Sequence, residues 1–206
     1  MVAETFRSLV SRYSQDGTLT EVLYSELVKS YSERSRHYHN LDHLNSLLQQ
    51  ILPLADQLRD LDTVLFALYY HDAVYRVLRK DNEEKSAQLA QKRLTLLNLP
   101  GNRIETCKQH ILATKAHGVS NNTDTNFFVD ADLSILGQDS LTYKAYSEGV
   151  RKEYSIYPDI IYKPGRKKVL EHFLQMEKIY KTEPFFAKFE SQARMNLKIE
   201  LEELLT

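Results

Sequence analysis

Apolar residues recur at intervals of three and four along almost the whole chain, which is the period of a helix face and not of a strand. Phe6, Leu9, Val10 and Tyr13 form one stripe, and Leu19, Val22, Leu23, Leu27 and Tyr31 form the next. Residues that interrupt helices are scarce. Glycine and proline together supply 11 of 206 positions, about 5%, against roughly 12% in an average domain. Many short strands would need more turn residues than that. The pattern predicts an all-α protein with nine or ten helices and no significant sheet.

Several boundaries are readable. Asn40 suits an N-cap for a helix carrying Leu41, Leu44, Leu47, Leu48 and Ile51, with Pro53 disturbing its far end. Val64, Leu65, Leu68, Tyr69 and Ala73 make a run that is apolar around most of its circumference, hence a buried helix. Asp81 or Asn82 starts a helix with Glu83 and Glu84 in its first turn, where carboxylates complement the helix dipole. That helix stops near Asn98, before the turn Leu99-Pro100-Gly101-Asn102. The next continues to about Ala116. Residues 118–125 read as a polar loop and 155–165 as another. Later helices are expected at Ser140–Tyr154, Arg166–Lys181 and Pro184–Leu204.

Composition narrows the functional classes. The formal net charge is −1, with 27 basic and 28 acidic side chains, so no global basic excess points to nucleic acid. The single cysteine, Cys107, excludes an intramolecular disulfide and fits a reducing compartment. The N-terminal residues carry Glu4 and Arg7 among the apolar positions and do not read as a signal peptide. The longest apolar stretch, Val64–Tyr70, falls far short of the roughly 20 residues of a membrane helix. A cytoplasmic protein with no membrane partner is the expectation.

The residues able to do chemistry are clustered. His37, His39 and His43 lie close together, the pair His71-Asp72 follows the most apolar helix, and His110, His117, Asp130 and Asp132 come next. A lone histidine is more often structural than a ligand, and a His-Asp dipeptide is common by chance. Here the pair is attached to a buried run, where ionisable groups are tolerated only when paired or metal-bound. Imidazoles with carboxylates form a nitrogen and oxygen donor set suited to a divalent metal with room for water. Without further cysteines a structural zinc finger is disfavoured.

The order His39, then His71-Asp72, then Asp132 resembles the signature of the HD superfamily of metal-dependent phosphohydrolases. The surrounding blocks Arg36-His37-Tyr38-His39-Asn40, Tyr70-His71-Asp72-Ala73-Val74-Tyr75, Asp81-Asn82-Glu83-Glu84-Lys85-Ser86-Ala87 and Asp130-Ala131-Asp132-Leu133 are similar to a bacterial subgroup of predicted HD phosphohydrolases. The resemblance implies one HD-type helical domain over residues 1–206. Its metal-site core spans about 31–137, and its C-terminal helical part, about 138–206, packs on that core. It also implies hydrolysis of a small phosphoester, such as a nucleotide, through attack of a metal-activated water. A di-iron oxygenase and a non-catalytic nucleotide sensor are the alternative readings.

The resemblance further implies roles. His39, His71, Asp72 and Asp132 are the expected ligands of a divalent ion (Mn, Mg, Fe, Co, Ni or Zn), one ion or two. Asp130 competes with Asp132, or orients a histidine ligand. His43, one turn after His39, competes with it, or else faces substrate. Arg36, His43, Lys115 and His117 are expected to hold the substrate phosphate, and Glu83 and Asp72 to take part in catalysis. His110, Thr114 and His117 share a helical face. That face reads as a second metal or phosphate site, or as one substrate-facing His117 beside a half-buried His110. Tyr38, Tyr69, Tyr70 and Tyr75 flank the ligands. The short basic cluster Lys163, Arg166, Lys167 and Lys168 reads as a solvated helix start. Nucleic acid is a disfavoured partner, and a homo-oligomer is left open.

Overall fold

The computed structural model describes residues 1–205. The described residues form ten α-helices and no strand, as the three-four periodicity predicts. The chain divides into two compact units, one of residues 1–129 and one from Asp130 onward, with the division falling inside a continuous helix.

The first unit holds α1 (Val2–Ser11), α2 (Gly17–Tyr31), α3 (Leu41–Ile51), α4 (Leu61–Tyr70), α5 (Asn82–Leu96), α6 (Gly101–Ala113) and most of α7 (Thr123–Leu133). Helix α4 is its centre, packed against α1, α3, α5 and α6. Every residue from Thr63 to Tyr70 is buried, as a run apolar on all sides requires. Each of its large apolar side chains contributes on the order of 1.5–3 kcal/mol by leaving water. Asp60 caps α4 by accepting from Thr63 N at 3.1 Å, and Arg103 holds the same carboxylate at 2.5 and 2.7 Å. The buried Asp124 carboxylate accepts from Arg59 N and Asp60 N, which ties the start of α7 to the start of α4.

The second unit holds the end of α7, then α8 (Ser140–Glu153), α9 (Asp159–Gln175) and α10 (Glu183–Leu205), with α9 and α10 packed together. A buried Arg166–Glu200 pair joins them at 2.7 and 2.8 Å. Arg166 is therefore no part of a solvated basic cluster. Gly137 lies so close to α10 that a Cβ there would stand 2.6 Å from the Phe189 carbonyl oxygen.

Several boundaries differ from the sequence reading, among them the end of α9, which stops at Gln175 and not at the expected Lys181. Helix α6 stops at Ala113 instead of about Ala116. Helix α7 begins at Thr123, inside the expected polar loop. Helix α9 begins at Asp159 and runs through Pro164. Residues 163–165 are exposed, so the hydrogen bond that Pro164 cannot donate is lost on the wet side, where water replaces it. No helix among the described residues is long and apolar enough to cross a membrane.

Candidate metal centre

Two non-helical corners of the first unit carry the central side chains. One is the segment from Ser32 to Asn40, which leads into α3. Asn40 caps that helix by accepting from Asp42 N at 2.8 Å and His43 N at 3.3 Å, and this places His43 in the first turn. The other is the turn after α4, where His71 is the C-cap and Asp72 follows. His43 and His71 are both buried.

The hydrogen bonding of His71 fixes its chemistry. Its Nδ1 lies 2.8 Å from the Leu68 carbonyl oxygen. A carbonyl only accepts, so Nδ1 carries the proton and, in the neutral ring, Nε2 presents a lone pair. That Nε2 faces His43 Nε2 at 3.1 Å and Asp72 Oδ2 at 3.1 Å. His43 Nε2 and His39 Nε2 stand 3.9 and 4.0 Å from the same carboxylate oxygen. A lone pair aimed at a carboxylate repels unless a proton or another cation stands between them.

Burial alone would raise the Asp72 carboxyl. Positive charge on the imidazoles of His71 and His39, and then His43, when these rings are protonated, outweighs it and holds the group well below the usual carboxylate range. Asp132 lies on the last turn of α7, one turn beyond Phe128 on the same helix. His43, His71 and Asp132 each offer one ligand atom, and these atoms all lie within 4.8 Å of one another. This group of two buried histidines and a half-buried aspartate could hold a metal ion. It contains His43, which the sequence reading set mainly toward substrate. His39 lies outside the three-residue group and against Asp72.

Aromatic rings wall the cluster. Tyr75 stacks on the His39 ring at 4.2 Å and 28°, and Tyr38 stands 4.9 Å from the rings of both His39 and His43. Phe128 meets His71 edge-on at 5.7 Å. The Tyr31 hydroxyl accepts from Asp72 N at 3.2 Å. Tyr31 belongs to an apolar stripe, and nothing in that pattern signals a site role.

The other expected site residues sit as follows. The Arg36 guanidinium is buried and donates to main-chain carbonyls of His39, Asp72 and Ala73. Glu83 is half-buried in the first turn of α5, 3.9 Å from Lys115 Nζ. Lys115 pairs closely with Glu84 and donates to the Lys80 carbonyl at 2.8 Å. His117 is half-buried, beyond the end of α6, with φ of 50°. That left-handed backbone takes it off the helical face it was expected to share with His110.

His110 is fully buried, deeper than the half-buried position expected. Its Nδ1 pairs with Thr125 Oγ1 at 2.8 Å, and its Nε2 has no hydrogen-bond partner. Burial pushes its imidazole down to about 4, against the upward pull of Asp124 and Asp60. Asp130 orients no histidine. Its buried carboxylate accepts from Lys181 N, Thr182 N and Thr182 Oγ1 in the second unit. Comparison of the chain with protein families, with curated proteins and with solved structures gives no match.

Proposed function

We propose that this protein is a metal-dependent phosphohydrolase of the HD type, acting on a small phosphorylated molecule such as a nucleotide. The observation that carries the reading is the lone pair of His71 Nε2, fixed by the Leu68 carbonyl and aimed at both Asp72 Oδ2 and His43 Nε2. His43, His71, Asp72 and Asp132 would hold the ion, with His39 closing the site from the Asp72 side. A divalent ion bound there supplies Lewis acidity toward a phosphoryl oxygen and lowers the pKa of a bound water to near neutrality.

The residues themselves supply the rest. Leu68 O holds His71 in one tautomer, so the ring does not lose its lone pair to a proton shift. Tyr38 and Tyr75 are half-exposed beside the imidazoles and would line the approach for substrate. His117 and Lys115 are the groups proposed to meet the phosphate. Lys115 must then exchange its pairing with Glu84 for the incoming anion. Glu83, 3.9 Å from Lys115, is the proposed proton acceptor at the rim.

The test is phosphate release from a panel of phosphomonoesters and nucleotides, measured with Mn, Mg, Fe, Co, Ni and Zn in turn. Turnover that requires the added ion and disappears in Asp72→Asn supports the reading. Nucleotide binding without turnover under any ion would replace the hydrolase with a sensor.

A further inference from the structure

We infer that Arg36 is a positioning residue for the ion-binding cluster and takes no part in gripping phosphate. The inference rests on the metal reading of the same site. Arg36 Nη1 donates both to the His39 carbonyl at 3.1 Å and to the Asp72 carbonyl at 2.7 Å. One nitrogen therefore bridges the two corners that carry His39 and Asp72. Nη2 adds the Ala73 carbonyl at 3.3 Å. The Asp72 and Ala73 carbonyls follow the C-terminus of α4, where the helix dipole leaves partial negative charge that a cation complements.

The donor inventory argues against a phosphate grip. A guanidinium has five N–H donors in a fixed fork, and bidentate phosphate recognition uses two adjacent ones. Both Nη1 protons and one Nη2 proton are committed to carbonyls. Nε is buried without any partner, so the Nε–Nη2 edge does not open to a ligand. Aromatic packing seals the side chain as well. The guanidinium carbon lies 5.0 Å from the Tyr31 ring centroid and 5.5 Å from that of Tyr75. Tyr75 in turn stacks on His39, and the Tyr31 hydroxyl holds Asp72 N. Arg36 thus fixes main chain and ring on both sides of the cluster. A lysine, with one point charge, cannot serve both corners and Ala73 in the same plane.

The experiment is calorimetric titration of Mn²⁺ into wild type, Arg36→Ala, Arg36→Lys and Arg103→Ala, with the Co²⁺ visible spectrum and the melting temperature recorded on each. Arg103 is a comparably engaged arginine of the same unit, bound to Asp60, and serves as a control for general destabilisation. The expected result is a loss of ten- to a hundredfold in Mn²⁺ affinity in Arg36→Ala. Arg36→Lys is expected to fold, to bind the ion more weakly than wild type and to show an altered Co²⁺ spectrum. Arg103→Ala should melt earlier yet keep wild-type affinity. Should Arg36→Ala fail to fold, Arg36→Lys alone decides: wild-type affinity and spectrum in that variant overturn the inference. It is equally overturned if Arg36→Ala binds Mn²⁺ like wild type and loses only inorganic phosphate binding, or if it loses no more affinity than Arg103→Ala. A wild-type protein that takes up no ion at all overturns the metal reading itself, and the two failures are distinct.

Discussion

His110 should make the first unit acid-sensitive over a window set by its burial. In the unfolded chain its imidazole titrates near 6.5, and in the fold near 4. Burial is the main cause, since no solvent reaches the ring and Nε2 has no partner to stabilise an added proton. Between these two values the unfolded chain binds a proton that the folded chain does not. Stability therefore falls as the pH drops through that window and is fully present above it. At about 1.4 kcal/mol for each pH unit, the loss reaches about 2.5 kcal/mol by pH 4.5. The perturbation is His110→Gln, which keeps a polar group for Thr125 Oγ1 and removes the titration. The assay is urea unfolding followed by circular dichroism at pH 7.5 and 4.5. Wild type should lose about 2.5 kcal/mol more than His110→Gln between the two conditions. Equal losses in the two proteins would refute the argument that a neutral buried imidazole is being forced to ionise.

Gly137→Ala should destabilise the second unit by about 3 kcal/mol or more, because its Cβ would meet Phe189 backbone and cannot be moved aside cheaply; thermal melting measures the loss. Replacing the buried Asp124 by alanine removes the acceptor of two part-buried main-chain N–H groups, those of Arg59 and Asp60, and should cost about 1–3 kcal/mol, read by the same urea titration. Asp72→Asn should abolish both ion uptake and hydrolysis while leaving the far-UV spectrum of ten helices in place, which elemental analysis and circular dichroism report together.

The helical class and the buried α4 were legible because both depend on local period and composition. Asn40 was legible as a cap because its side chain acts on main chain two and three residues away. The tautomer of His71 was not, because it depends on a helix carbonyl whose position requires α4 to exist. The competition between His39 and His43 was visible as spacing. Their separation into one residue against Asp72 and one against His71 comes from the packing of α3 on α4. Arg36 shows the limit most clearly. Its position three residues before His39 reads as a cleft-mouth cation, whereas its three acceptors belong to carbonyls, two of them more than thirty residues away. The start of α9 was missed because Pro164 reads as a breaker, and its tolerance depends on which side of the helix meets water.

The central claim is that the lone pair of His71 Nε2 and its carboxylate and imidazole neighbours form a divalent-ion site. Crystals of the protein grown with Mn²⁺, with anomalous diffraction collected above and below the manganese edge, test it most directly. The account predicts an anomalous peak in contact with His71 Nε2 and a carboxylate oxygen of Asp72, lost in crystals of Asp72→Asn. A map with no peak at His71 at saturating Mn²⁺, or an unchanged peak in Asp72→Asn, would contradict it.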